Sequence, residues 1–130
     1  MNARIQQNET FAASAKEIYS LLTDSERFSE MTGGAPADID ATEGGSISLF
    51  GGMITGRTIE AVPNQRLVQA WRPQPWEEGL YSVVRFEIAE NGNSTTVSLD
   101  HGGFPEEQAE HLSAGWHENY WDKMRAITGG

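Results

Sequence analysis

The spacing of hydrophobic and polar residues changes along the chain, and each change predicts a different element. Residues 5–11 alternate weakly, which permits a first β-strand. Ser14 and Glu17 have the spacing of a capping box, and apolar residues follow at helical intervals. A second cap at residues 23–26 begins another short helix, which the Gly33-Gly34 pair ends. The chain is therefore expected to open with one strand and two short helices.

Residues 39–99 consist of short β-prone runs separated by turns rich in glycine, proline and asparagine. The alternation is clearest in residues 84–88, where the apolar side chains share one face and the charged ones share the other. Asn91 and Gly92 predict a type I′ hairpin turn, because that turn needs positive φ at both central residues. The Gly51-Gly52 pair also indicates a tight turn, since no helix follows it to bind phosphate. This part of the chain predicts an antiparallel meander with one polar face.

The strongest periodicity lies at the end of the chain and predicts an amphipathic helix of about twenty residues. Pro105 begins this helix, acidic residues fill its first turns, and Lys123 and Arg125 lie near its end, as the helix dipole favours. Trp121 is expected beside the apolar stripe rather than on it. The stripe has steps of three or four residues and comprises Ala109, Leu112, Trp116, Tyr120, Met124 and Ile127.

Such a heavy apolar face has to cover one face of the sheet. The predicted fold is therefore α+β, with a curved antiparallel sheet of about six to seven strands around a long C-terminal helix, and two short helices after the first strand. Residues 1–130 are expected to form a single domain, because two domains within this length would each approach the lower limit of independent stability.

Charge and composition exclude several classes of function. The 130 residues carry a formal net charge of −10, so we expect neither nucleic acid nor an anionic membrane as a partner. The chain has no cysteine, which excludes disulfides, thiolate nucleophiles and cysteine-based metal sites. No apolar run approaches the roughly 20 residues that span a bilayer, and none resembles a secretory signal, so a cytoplasmic location is expected.

Catalytic and metal-binding patterns are weak. The chain contains no dinucleotide-binding motif, P-loop or nucleophile elbow. His111 and His117 are six residues apart, which turns them about 120° from each other on a helix and argues against a shared metal. The carboxylates form no evident pair of general acid and base, so we predict no catalytic residue, metal or cofactor. A binding role is expected rather than catalysis.

Aromatic and aliphatic side chains supply the candidate site. The residues expected between the helix and the sheet are Trp71, Phe86, Leu99, Leu112, Trp116 and Tyr120. They form either an ordinary core or the wall of a cavity for an apolar ligand, and the sequence leaves both open. Trp76 lies in a proline-containing loop, where it is either tucked over the sheet edge or offered to a partner protein.

A set of short motifs occurs in one order along nearly the whole chain, from about residue 5 to about residue 127. Each motif is weak alone, and the ordered set is specific; it includes Glu43-Gly44-Gly45, Val62-Pro63, Trp71-Arg72, Trp76-Glu77-Glu78-Gly79, Gly103-Phe104-Pro105-Glu106-Glu107 and Gly115-Trp116. The ordered set resembles the C-terminal domain of the activator of Hsp90 ATPase, within the START-like, helix-grip (SRPBCC) superfamily. The resemblance implies the fold predicted above and supplies no catalytic residues, because the shared motifs are mostly turns and strand ends.

The resemblance leaves three functions in view. The first is a non-enzymatic binding module, because the superfamily binds hydrophobic molecules between helix and sheet. The second is a co-chaperone-like protein that docks on an Hsp90-type chaperone through an acidic surface bearing tryptophan. The third, a cyclase or hydrolase, rests only on some helix-grip relatives. The chain is expected to act as a monomer or a weak homodimer.

Overall fold

The computed structural model describes residues 4–74, 76 and 79–129. Its seven strands are β1 (Arg4–Phe11), β2 (Asp38–Ile39), β3 (Ser46–Leu49), β4 (Ile54–Val62), β5 (Arg66–Pro73), β6 (Ser82–Asn91) and β7 (Ser94–Gly102). Its α-helices are α1 (Ala15–Thr23), α2 (Ser25–Met31), α3 (Ala109–Trp116) and α4 (Asp122–Thr128). Single 3₁₀ turns occupy Phe50–Gly52 and Glu106–Gln108, and a π-helical segment, His117–Trp121, joins α3 to α4. None of the described helices has both the length and the apolar character needed to cross a membrane.

The described strands form one antiparallel sheet in the order β1-β7-β6-β5-β4-β3-β2. The helices lie on one face of this curved sheet, and the hydrophobic core lies between the two layers. The predicted helix-grip architecture is therefore confirmed, with seven strands and two short helices directly after β1.

The predicted caps of the two short helices are present. The Ser14 hydroxyl accepts a hydrogen bond from the Glu17 amide at 3.1 Å, and the Asp24 carboxylate accepts from the amides of Glu26 and Arg27. These oxygens satisfy backbone donors that have no partner within the helix. The Glu17 side chain does not complete the capping box, because it lies 3.4 Å from the Arg27 guanidinium instead.

The hairpin between β6 and β7 corrects the predicted turn. Asn91 pairs with Ser94 across the strands, so Gly92 and Asn93 are the central residues. Among the described non-glycine residues, only Phe50 and Asn64 have positive φ, whereas Gly92 has a φ of 64°. Positive φ at the first central position alone is typical of a type II′ turn, in which glycine prefers that place. The predicted turn was therefore wrong in two respects: its central residues lie one position later, and its type is II′ rather than I′.

Strand β4 is shaped by a close approach to its neighbour. A Cβ atom at Gly56 would lie 1.7 Å from the carbonyl oxygen of Ala70 on β5. Two residues further along, the register shifts between Thr58 and Glu60 and leaves Ile59 about half exposed. A glycine and a bulge in one strand bend a sheet locally, so this part of β4 contributes to the curvature of the sheet.

The C-terminal helix runs continuously through α3, the π-helical segment and α4. Within the segment, the Asp122 amide donates to the carbonyl of His117, five residues earlier. This wider turn changes which side chains face the sheet, so Tyr120 and Trp121 are both buried. Trp121 was expected beside the buried stripe and is instead fully buried, which corrects the prediction.

Replacing Gly56 with Ala should destabilise the protein by roughly 3 kcal/mol or more, because the added methyl group collides with backbone rather than with a movable side chain. Urea unfolding followed by tryptophan fluorescence measures the change. Gly115→Ala is the matched control, since its Cβ meets nothing closer than 3.7 Å and lies in α3. We expect this control to be stabilised by up to about 1 kcal/mol. Equal stability of the two variants would contradict the close approach.

Candidate ligand-binding site

Three tryptophan rings fill the middle of the space between helix and sheet. Trp116 from α3 stacks on Trp71 from β5, with ring centres 4.9 Å apart, and on Trp121 at 5.6 Å. Tyr120 packs against Trp116 at 4.5 Å and meets Phe86 from β6 at 6.2 Å. All five side chains are buried. The centre of the grip is therefore a packed aromatic core rather than an open chamber.

A buried chain of hydrogen bonds fixes the Trp116 ring. Its indole N–H donates to Nδ1 of His101 at 3.1 Å, and Nε2 of His101 lies 2.8 Å from the Ser82 hydroxyl. Because Nδ1 accepts a hydrogen bond from Trp116, the neutral ring carries its proton on Nε2, and this N–H donates to the Ser82 hydroxyl. Ser82 in turn donates to the carbonyl of Trp71 at 3.4 Å. The network joins α3, β7, β6 and β5.

His101 is held in its neutral form by burial. The side chain is fully buried, and the resulting desolvation lowers its pKa from the ordinary 6.5 to about 4, although the neighbouring charge of Asp100 opposes this effect. A charged imidazole could not accept the hydrogen bond from Trp116. The orientation of Trp116 therefore depends on a neutral His101.

The C-terminal helix is also attached to β1 by polar contacts. The Trp121 indole N–H donates to the Gln7 side-chain oxygen at 2.6 Å, and the Gln7 nitrogen donates to the Ser113 hydroxyl at 3.0 Å. Arg125 donates to the Glu9 carboxylate at 2.6 Å and lies 5.0 Å from the centre of the Phe11 ring. These contacts hold the helix along the edge strand as well as over the sheet.

An open-sided cavity of about 350 Å³ lies beyond Trp116 and Tyr120. Its wall combines the 3₁₀ turn after β3, the start of β4, the end of β5 and one side of the C-terminal helix. Most of the wall is apolar, and Gly115 contributes no side chain to it. The lining residues are Phe50, Met53, Ile54, Pro73, Trp76, Gln108, His111, Leu112, Gly115, Trp116, Asn119 and Tyr120.

The structure divides the six residues that the sequence assigned to a cavity. Leu112, Trp116 and Tyr120 line the cavity. Trp71, Phe86 and Leu99 do not line it, because they lie deeper in the core, where the stacked rings occupy the space. In β6, Arg85 and Glu87 lie on the opposite face from the buried Val84, Phe86 and Ile88, as the alternation predicted.

Trp76 is placed against the cavity rather than in solvent. Its side chain is 8% exposed and forms part of the wall, and its carbonyl accepts from the Arg72 guanidinium at 3.0 Å. Pro75, Glu77 and Glu78 lie outside the described residues. Of the two positions that the sequence left open, the tucked one is observed.

The turn after β3 supplies lining residues that the sequence did not indicate. Phe50 has a φ of 53°, Gly51 and Gly52 also have positive φ, and the Phe50 ring packs 5.4 Å from that of Phe28. Left-handed backbone costs a bulky residue of the order of 1–3 kcal/mol, so packing has to hold Phe50 in place. The glycine pair indicated the turn but gave no sign that the turn forms a cavity wall.

The described histidines and carboxylates do not gather into a metal site. His111 and His117 are exposed on the C-terminal helix, and His111 stands at the cavity mouth. No group of three or more His, Asp or Glu side chains in the described part of the chain is arranged to hold a metal ion.

An antiparallel sheet wrapped around a C-terminal helix, with an apolar cavity at one side, defines this chain as a helix-grip protein of the START-like class. The family model described as Activator of Hsp90 ATPase homolog 1-like protein matches residues 12–129. The chain belongs to this family.

Curated relatives are longer than this chain. The human protein named activator of 90 kDa heat shock protein ATPase homolog 1 is 27% identical over 126 residues, which cover 97% of this chain and 37% of that protein. A Dictyostelium discoideum activator homologue is 28% identical over 118 residues, which cover 90% of this chain and 30% of that protein. The chain thus spans about a third of the length of the curated relatives it matches.

Solved structures include one of nearly the same extent. An HSP90 activator from Plasmodium falciparum superimposes with a TM-score of 0.90 at 25% identity and covers 97% of this chain and 96% of its own. The Aha1 dimer from Colwellia psychrerythraea superimposes with a TM-score of 0.81 at 18% identity and covers 97% of this chain and 96% of its own. At that lower identity the likeness concerns the fold alone.

The buried His101 predicts a pH dependence of stability. Its pKa is about 4 in the folded protein and close to 6.5 when unfolded, so the unfolded chain takes up the proton first as pH falls. This contribution to stability is complete above pH 6.5 and is lost between pH 6.5 and 4, at no more than about 1.4 kcal/mol per pH unit. Urea unfolding at several pH values measures the slope, and His101→Gln should reduce it. If NMR showed the His101 imidazole titrating near pH 6.5 in the folded protein, the prediction would be refuted.

Proposed function

We propose that this protein is a non-enzymatic binding module that holds a small hydrophobic molecule in the cavity beside Trp116 and Tyr120. The cavity itself carries the proposal: its volume of about 350 Å³ lies within the usual range for small-molecule sites, and its wall is largely apolar. Its open side gives a ligand a route in from solvent.

The cavity wall is suited to binding because it is already formed. Trp116 is fixed by its hydrogen bond to His101 and by stacking on Trp71 and Trp121, so its ring has little freedom to lose when a ligand arrives. A ligand that buries apolar surface against this wall gains roughly 25 cal/mol per Å² removed from water. Preorganisation leaves more of that gain as affinity.

Filling the cavity at Gly115 should weaken ligand binding. Gly115 lines the cavity and has space for a side chain, so Gly115→Leu projects an isobutyl group into it. Titration with the uncharged dye Nile red, followed by its fluorescence, should show binding weakened about tenfold or more, since a lost 1.4 kcal/mol is tenfold. Native mass spectrometry of protein purified without detergent reports any molecule already held.

Ala114→Leu is the matched control, because Ala114 is exposed on the same helix and lies outside the cavity wall. This variant should bind the dye as the unaltered protein does. Absence of dye uptake by the unaltered protein, or equal uptake by the two leucine variants, would count against the proposed function.

Docking on an Hsp90-type chaperone is the second candidate function. It is supported by the Plasmodium falciparum protein, which is described as an HSP90 activator and matches this chain over nearly the full length of both. The net charge of −10 would favour a basic surface on the chaperone. For either function we propose a cytoplasmic location, because a chain without cysteine suits a reducing compartment. We also propose that the protein acts as a monomer or a weak homodimer.

Binding to a chaperone should depend on salt. Immobilised protein should retain the Hsp90 of its source organism at low ionic strength and release it as sodium chloride is raised, because exposed charges are screened over about 8 Å near 0.15 M. Bovine serum albumin on the same resin is the control for nonspecific retention. A signal no greater than this control at low ionic strength would remove docking from consideration.

A further inference from the structure

Tyr120 differs from the other polar rings of the aromatic core. The indole N–H groups of Trp71, Trp116 and Trp121 each donate to a side chain, and both ring nitrogens of His101 are engaged. The Tyr120 side chain is 97% buried, yet its hydroxyl makes no hydrogen bond to any described residue. No polar side-chain atom of the described residues is both sealed from solvent and without a partner, so this hydroxyl is not fully sealed. The hydroxyl therefore keeps some contact with solvent, and the cavity that Tyr120 lines is the open space beside this ring.

An unpaired phenol in such a wall is a specific feature. Covering this hydroxyl with a purely apolar ligand would displace water and leave it without a partner, at a cost of about 1–3 kcal/mol, so a ligand that offers an acceptor there binds better. Burial raises the pKa of Tyr120 well above its ordinary value, which keeps the proton on the oxygen. The wall therefore presents a hydrogen-bond donor inside a largely apolar space.

The size and the walls of the cavity restrict the shape of the ligand. An apolar cavity of about 150 Å³ accommodates benzene, so about 350 Å³ suits a molecule of two or three rings. Phe50, Trp76, Trp116 and Tyr120 give the wall four aromatic rings. Aromatic walls favour flat aromatic ligands, because offset and edge-to-face ring contacts add to the burial of apolar surface.

The charges of the molecule restrict the ligand further. The described residues of the wall include no Lys, Arg, Asp or Glu, so an ionised group held inside the cavity would have no opposite charge beside it. The net charge of −10 also repels an anion as it approaches. A fatty carboxylate or a phospholipid thus fits this cavity less well than an uncharged ring system.

We propose that the cavity selects uncharged aromatic ligands of two or three fused rings that carry a carbonyl oxygen, and that the Tyr120 hydroxyl donates to that oxygen. The inference rests on the proposed ligand-binding function and adds the chemical class of the ligand. Tyr120 is then a specificity-determining residue, because an analogue without the carbonyl fills the same space but leaves the hydroxyl unpaired.

Fluorene and 9-fluorenone test this selection, since they share one ring skeleton and differ in the carbonyl group. Isothermal titration of the unaltered protein should give affinity for fluorenone about fivefold higher than for fluorene. Tyr120→Phe should remove that difference and leave the affinity for fluorene unchanged. The carbonyl stretch of bound fluorenone should lie at lower frequency in the unaltered protein than in the variant. 9-Oxofluorene-4-carboxylate should bind more weakly than fluorenone.

Tyr81→Phe is the matched control, because Tyr81 is half exposed and lies outside the cavity wall. It should preserve the preference for fluorenone, and thermal unfolding should show all variants folded. Equal affinities of the unaltered protein for the two probes, or an equal loss of both in Tyr120→Phe, would overturn the assignment to Tyr120 while leaving the binding function standing. Failure of both probes to bind the unaltered protein would overturn the binding function itself.

Discussion

The contact between Trp116 and His101 is the interaction on which the rest of the molecule depends. One indole ring stacks on β5 through Trp71, hydrogen-bonds to β7 through His101, and presents another part of its surface to the cavity. A single side chain thus connects the helix, the sheet and the cavity wall. Because the imidazole is deeply buried, it serves this role only while neutral, and the same burial that fixes the core ties its geometry to pH.

A filled centre determines where a ligand can enter. Trp71, Trp116 and Trp121 occupy the space under the helix, so the remaining volume lies to one side, against the turn at Phe50. The opposite end of the helix is held by the Arg125–Glu9 pair, and Glu9 is largely buried. Lifting the helix would break stacking, hydrogen bonds and this ion pair together. Entry through the open side therefore costs far less than opening the grip.

Much of the fold could be predicted because its elements have local causes. The capping residues Ser14 and Asp24 and the alternation of β6 all reflect interactions within a few residues of each other. Trp121 could not be placed, because a helical stripe assumes 3.6 residues per turn, and a π-helical turn shifts the phase without any local signal. The hairpin turn differed by one residue, since Gly92 can take the left-handed position in either register. The position of the cavity followed from how Trp71 and Trp116 stack, which is a property of the assembled layers.

The acidic residues beside the cavity mouth connect the two candidate functions. The cross-strand register places Arg4, Arg57 and Arg85 on the outward face of the sheet, opposite the buried residues. Exposed acidic residues of the C-terminal helix include Glu110 and Glu118, which are neighbours in sequence of the cavity residues His111 and Asn119. A basic partner attracted by charge would therefore approach the face that carries the cavity mouth. A molecule bound beside Tyr120 would become part of the surface that this partner meets, so ligand binding and chaperone docking are expected to be coupled rather than independent.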